Sequence, residues 1–231
     1  MTGSALTGLT TASPSPLWFL DRSSGEVSLL LMSIVMSLGV VRAAMPSAYP
    51  FLIEGAHINL ALLTIGFGGL HIVAALVDPF ARLGPIDTLV PFVSAYRGTW
   101  LGLGVISGYL YGAAILTSWP ARRIKRSVWV WLHRTMYAAW ALALVHALGT
   151  GSDARNQVFL ILNIVAVAAV LVAFLGVRVA EGWATRPQLW TALSVVAALA
   201  VLGIGVWAAY GPLQPGWARA SGTPANLLRS P

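Results

Sequence analysis

Four histidines, His57, His71, His133 and His146, are the only side chains of the chain that combine metal-ligating chemistry with a regular spacing. His57 and His71 lie on one apolar stretch, His133 and His146 on another, and no histidine lies elsewhere. A polar residue in an apolar stretch of membrane length is costly and is a functional candidate. Lone histidines usually serve as interhelical hydrogen-bonding groups, but two per helix and none elsewhere favour a shared function. At about 1.5 Å per residue, His57 and His71 stand roughly 21 Å apart along a helix, and at about 100° per residue they share a face. If the two stretches run in the same direction, His57 is level with His133 and His71 with His146. Each level then offers one imidazole from each of two helices, the arrangement of bis-histidine axial ligation of a haem iron. Two levels imply two stacked haems. His133 and His146 fit less cleanly, because their spacing rotates them by about 140° on an ideal helix. Tilt, a helix irregularity or a sideways offset must absorb that rotation.

The elements that would position these residues follow from composition. The chain has 231 residues, 58% hydrophobic and only 9% charged, with a mean hydropathy of +0.79. A soluble domain carries about a quarter charged residues, so this composition excludes a soluble enzyme, a disordered segment and a nucleic-acid-binding domain. The net charge of +7 is therefore read as loop topology, with no nucleic-acid partner. Absence of cysteine excludes disulfides, thiolate zinc sites, iron–sulfur clusters and covalent haem attachment through CxxCH.

A bilayer core of about 30 Å takes about 20 apolar residues of helix. Six stretches meet this: Val27–Met45, Ile58–Val77, Thr99–Trp119, Val128–Leu148, Val158–Val177 and Leu189–Tyr210. The expected fold is an all-α integral membrane six-helix bundle, with haems between helices two and four. Residues 1–26 read as a flexible lead, 27–210 as the membrane domain and 211–231 as a Pro/Gly-rich tail. The loop ARRIKRS, with Arg122, Arg123, Lys125 and Arg126, is expected to be cytoplasmic by the positive-inside rule. Alternation then places both termini outside a multi-pass cell-membrane protein whose solvent is membrane lipid. No dinucleotide fingerprint follows a strand pattern, so no flavin bound by this chain is expected.

Metal ions are the competing ligand for the histidines. Zinc or iron sites usually add carboxylates or cysteines. The six spans as drawn contain no Asp or Glu, which favours haem. Arg42 and Arg134 are candidate partners of haem propionates, since guanidinium pairs bidentately with carboxylate. For each the alternative is a snorkelling or loop charge. Arg97 is a further candidate at the outer end. Gly104, Gly108 and Gly112 form a small-residue stripe suited to close helix packing. Gly66, Gly68 and Gly69, between the histidines of span two, would leave room for a flat macrocycle.

The pairs His57-x13-His71 and His133-x12-His146, with LHRTMYAAWALALVHALGTGSD around the second, resemble the ferric reductase-like transmembrane domain. That family is the haem-bearing core of ferric reductases and NADPH oxidases, and the chain is also similar to the haem subunit of the bacterial methionine sulfoxide reductase system. The resemblance spans about residues 27–177. It implies haem b carrying electrons across the membrane, with His57 and His133 on the inner haem and His71 and His146 on the outer one. Two haems are expected; some of the family's haem subunits hold one. The implied role is an electron-transfer component of an oxidoreductase that lacks a flavin and NAD(P)H domain. Electrons would enter from a partner flavoprotein or quinol and leave to an outer-face or soluble acceptor. The alternatives are a quinol-linked membrane cytochrome b and, from another class, a metal-binding transporter or membrane assembly factor.

Overall fold

The computed structural model describes residues 15–44, 50–118, 124–151, 153–179, 187–225 and 227. The sequence-based assignments to residues 1–14, Met45, Trp119, Arg122 and Arg123 fall outside these. The described residues are helical and contain no strand: α1 Pro16–Ala44, α2 Pro50–Val77, α3 Pro85–Leu89, α4 Gly98–Ser118, α5 Arg126–Arg134, α6 Met136–Thr150, α7 Gln157–Ala173, a π-helical turn Phe174–Val179, α8 Pro187–Tyr210 and α9 Trp217–Ala220.

Five helices are long and apolar enough to cross a bilayer: Pro16–Ala43, Phe51–Val77, Gly98–Ser118, Gln157–Gly176 and Pro187–Tyr210. Their outward faces carry large apolar side chains, among them Phe51, Val73, Leu116, Val172 and Leu202. So continuous an apolar exterior is untenable in water and suits lipid, which makes this a multi-pass membrane protein.

Two expectations change. First, the stretch read as span four is not one helix. It breaks at Thr135 into α5 and α6, and α6 alone, at about 1.5 Å per residue, is shorter than the hydrocarbon core. Thr135 donates its hydroxyl to the Leu132 carbonyl at 2.6 Å, and its N–H reaches the same carbonyl at 3.1 Å. The side chain competes for a backbone acceptor and tightens the turn to a three-residue repeat. Second, residues 16–26, assigned to a flexible lead, form the first turns of α1. Asp21, Arg22 and Glu26 therefore stand on a helix of membrane length. Their charges are held within the fold: Arg22 pairs with Asp153 at 3.5 Å and Glu26 accepts from Asn163 at 2.8 Å.

The core lies where α1 meets α6, α7 and α8, built on Leu29, Met32, Met36, Ala139, Trp140, Leu144, Leu148, Val170 and Ala208. Buried polar groups bridge helices within it. The Trp140 indole donates to Ser33 Oγ at 2.8 Å, Ser107 to the Ala139 carbonyl at 2.7 Å and Tyr111 to the Ala61 carbonyl at 3.1 Å. Such bonds fix helix register in lipid, where hydrophobicity alone does not drive helices together.

The bundle has two distinct ends. At one, Ser15 donates to Asp78 at 3.0 Å, Arg22 meets Asp153, and the segment after α8 folds back. Arg97 joins that segment through its N–H to the Gly222 carbonyl at 3.1 Å and its Nε to Thr223 Oγ1 at 2.8 Å. At the other end Arg42 pairs with Glu54 at 2.9 Å, and the Trp129 indole donates to Ser118 at 3.3 Å.

Candidate histidine-pair site

The rings of His57 and His133 have centroids 6.1 Å apart, and so do those of His71 and His146. Two imidazoles bound to one metal from opposite sides, with bonds of about 2.0 Å and about 1.1 Å from nitrogen to ring centre, have centroids about 6.2 Å apart. Both pairs match that spacing. The break at Thr135 lies between His133 and His146. On a regular helix His146 falls about 140° short of a whole number of turns from His133. A three-residue turn adds about 20° per residue in the sense that closes this gap.

Three of the four rings are held in the same manner. His57 Nδ1 bonds the Val35 carbonyl at 3.0 Å, His71 Nδ1 the Asp21 carbonyl at 2.9 Å and His146 Nδ1 the Trp100 carbonyl at 3.0 Å. A carbonyl only accepts, so Nδ1 carries the proton and Nε2 keeps its lone pair. This is the tautomer of a metal ligand oriented by an outer hydrogen bond. In each case a glycine stands four residues after the acceptor, on the turn where the ring arrives. A Cβ on Gly25 would lie 2.9 Å from His71 Nδ1, one on Gly39 3.3 Å from His57 Cε1 and one on Gly104 2.4 Å from His146 Nδ1. The missing side chains let each imidazole reach a main-chain carbonyl already used by its own helix. His133 differs: its ring stacks on Trp129 at 4.9 Å, and its buried Nδ1 has no hydrogen-bond partner among the described residues.

The sequence-based reading missed these seats. The carriers are α1 and α4, neither of which contains histidine, so spacing within the histidine helices does not reveal them. Gly104, Gly108 and Gly112 do not act together as one packing stripe among the described residues. In the structure only Gly104 meets a neighbour, His146, while a Cβ at 108 or 112 meets open space among the described residues. On α2, Gly66 and Gly69 also face open space and Gly68 faces Ser28. Although the six spans as drawn contain no acid, Asp21 Oδ1 stands 2.8 Å from His71 Nδ1. α1 carries it there, because the helix begins eleven residues earlier than expected. No group of three or more His, Asp or Glu side chains able to hold a metal ion occurs among the described residues.

The arginines are placed as follows. Arg42 is half-exposed and pairs with Glu54. Arg134 is exposed beside His133. Arg97 is buried, and its guanidinium is turned to Thr223 Oγ1 and the Gly149 and Thr150 carbonyls at 3.4 and 2.7 Å. Burial pushes its guanidinium below the usual arginine range. It caps the C-terminal carbonyls of α6.

Proteins from Bordetella pertussis, Bordetella parapertussis and Bordetella bronchiseptica are each 26% identical to the chain over 181 residues, covering 75% of this chain and 80% of the relative. Each is named protein-methionine-sulfoxide reductase heme-binding subunit MsrQ. The chain is thus similar to the bacterial haem subunit, as the histidine spacing led us to expect. No family model matches it, and no solved structure matches it.

Proposed function

We propose that the chain is the haem-binding membrane subunit of a protein-methionine-sulfoxide-reductase-type system, with two b haems. His57 and His133 hold one, and His71 and His146 the other. The observation that carries this reading is the equal 6.1 Å separation of the two ring pairs. Bound haem supplies one-electron chemistry that no side chain of the protein offers. The residues do the rest: the Val35, Asp21 and Trp100 carbonyls orient three ligands, and the surrounding apolar core excludes water.

Further parts of the reading rest on the sequence. α5 and α6 together make a sixth, broken crossing, in a ferric reductase-like bundle spanning residues 16–210. Arg42 and Arg134, at the end nearest His57 and His133, face haem propionates. The basic loop at Arg122–Arg126 sets that end on the cytoplasmic side of the cell membrane, so that the lead, the tail and the His71–His146 pair lie outside. Electrons enter from a flavoprotein or quinol and leave to a sulfoxide-reducing partner at the outer face.

Purified protein is expected to show a low-spin b-haem spectrum with about two haems per chain. His71→Ala or His146→Ala removes one of them, and His57→Ala or His133→Ala the other. A quadruple His→Ala variant that keeps the full spectrum overturns the assignment. Reduction by quinol but not by an added flavoprotein shifts the reading to a quinol-linked cytochrome.

A further inference from the structure

One of the four imidazoles has a carboxylate oxygen directly against its Nδ1 among the described residues. His57 and His146 are anchored by neutral main-chain carbonyls alone. His71 Nδ1 meets the Asp21 carbonyl at 2.9 Å and, at 2.8 Å, the carboxylate of the same residue. The approach is possible because Gly25, one turn on, has no side chain. Asp21 Oδ1 is buried and has no hydrogen bond of its own among the described residues. A buried carboxylate oxygen without a donor is costly unless positive charge stands beside it. The imidazole is the group that the structure sets next to this oxygen. An imidazole bound through Nε2 to ferric iron carries that positive charge, so the carboxylate favours the oxidised state and makes the imidazole a more basic ligand.

We infer that Asp21 is a positioning residue that sets the reduction potential of the His71–His146 site below that of a site anchored by neutral carbonyls. The inference rests on the haem reading above. It makes the two sites unequal: the His57–His133 pair lacks a carboxylate against either Nδ1, since His57 has the Val35 carbonyl and His133 Nδ1 has no hydrogen bond among the described residues. The chain therefore carries a built-in difference between its two ends that ligand identity alone does not supply.

The test is a redox titration of the purified, haem-loaded protein, followed in the haem absorption bands. The outer component is first identified as the one lost in His71→Ala. Asp21→Asn keeps shape and hydrogen-bonding oxygen but removes the charge. It is expected to shift the reduction equilibrium of that component about tenfold toward the ferrous form, about 59 mV for one electron, with the other component unmoved. Glu26→Gln is the control, because Glu26 is a carboxylate on the next turn held by Asn163 and not by a histidine. It is expected to shift the same component by less than half as much. Unmoved potentials in haem-loaded Asp21→Asn, or an equal shift in Glu26→Gln, overturn the inference. If Asp21→Asn sheds the outer haem, Asp21→Glu is expected to retain it at a potential near the parent's, and shedding in both variants overturns the inference. A parent without haem, or a His71→Ala spectrum identical to the parent's, overturns the haem reading itself and is seen before any potential is compared.

Discussion

At Gly104 one methyl group decides whether His146 keeps its seat. A Cβ there would lie 2.4 Å from Nδ1, well inside contact distance, and the obstacle is a ring fixed by its bond to Trp100. Gly104→Ala is expected to cost about 1–3 kcal/mol of stability by overpacking and to remove the outer haem signal. Gly25→Ala should act in the same direction, and Gly39→Ala more weakly, following the contact distances of 2.9 and 3.3 Å. Gly108→Ala and Gly112→Ala, facing open space, should leave the haem spectrum unchanged. Haem content across these five variants checks the order; equal loss at Gly104 and Gly108 would contradict the seat and favour general helix packing.

At the scale of elements, the break at Thr135 and the clamp at Arg97 carry separate consequences. Thr135 tightens the turn that sets the relative rotation of His133 and His146. Thr135→Ala removes the competing hydroxyl and favours a continuous helix. The continuous form turns His133 away from His57, so the inner haem is expected to be lost or to become high-spin while the outer one persists. A haem-by-haem absorption spectrum distinguishes this from a neutral change. Arg97 adopts a left-handed φ of 46°, a conformation that costs a non-glycine residue about 1 kcal/mol or more. It is held there by the bonds that join α6 to the tail around α9. The Trp217 indole adds a bond to the Gly149 carbonyl at 3.0 Å and packs tilted against Trp100 and edge-on against Trp207. Arg97→Ala strips charge-assisted bonds from buried carbonyls and is expected to cost about 2–3 kcal/mol. Limited proteolysis should then cut within residues 211–225, sites protected in the parent.

For the whole molecule, the polar contacts of the loops and helix ends divide into two sets at opposite ends with an apolar exterior between. The contacts Ser15–Asp78, Arg22–Asp153 and Arg97–Thr223 tie the start of α1, the loops after α2 and α6, and the segment after α8 into one end. These are the segments that alternation of spans assigns to one side. The absolute orientation rests on the basic loop between α4 and α5. A reporter inserted among Arg122–Arg126 is expected to respond as cytoplasmic, and one fused after Pro231 as external. The reverse pattern would exchange the inner and outer labels of the two histidine pairs without separating their members.

Much of this organisation is legible along the chain because it depends on local quantities. Hydropathy accumulates over about 20 consecutive residues, so five of the six expected spans appear as membrane-length helices. Rise per residue fixes the distance between His57 and His71, and with it the levels at which His133 and His146 can meet them. The tertiary structure decided what depends on contacts between distant segments. The charges Asp21, Arg22 and Glu26 argue locally against a membrane helix, yet α1 extends through them because Asp153 and Asn163, more than a hundred residues later, hold two of them. The three carbonyl seats come from helices without histidine, and a glycine becomes a seat only when another helix delivers a ring against it. The break in the fourth span arises from one threonine competing for a backbone oxygen, in a stretch whose hydropathy alone reads as continuous helix. Apolar length and helical rise belong to a segment, whereas the partner of each imidazole Nδ1 belongs to the packing of segments far apart in the chain.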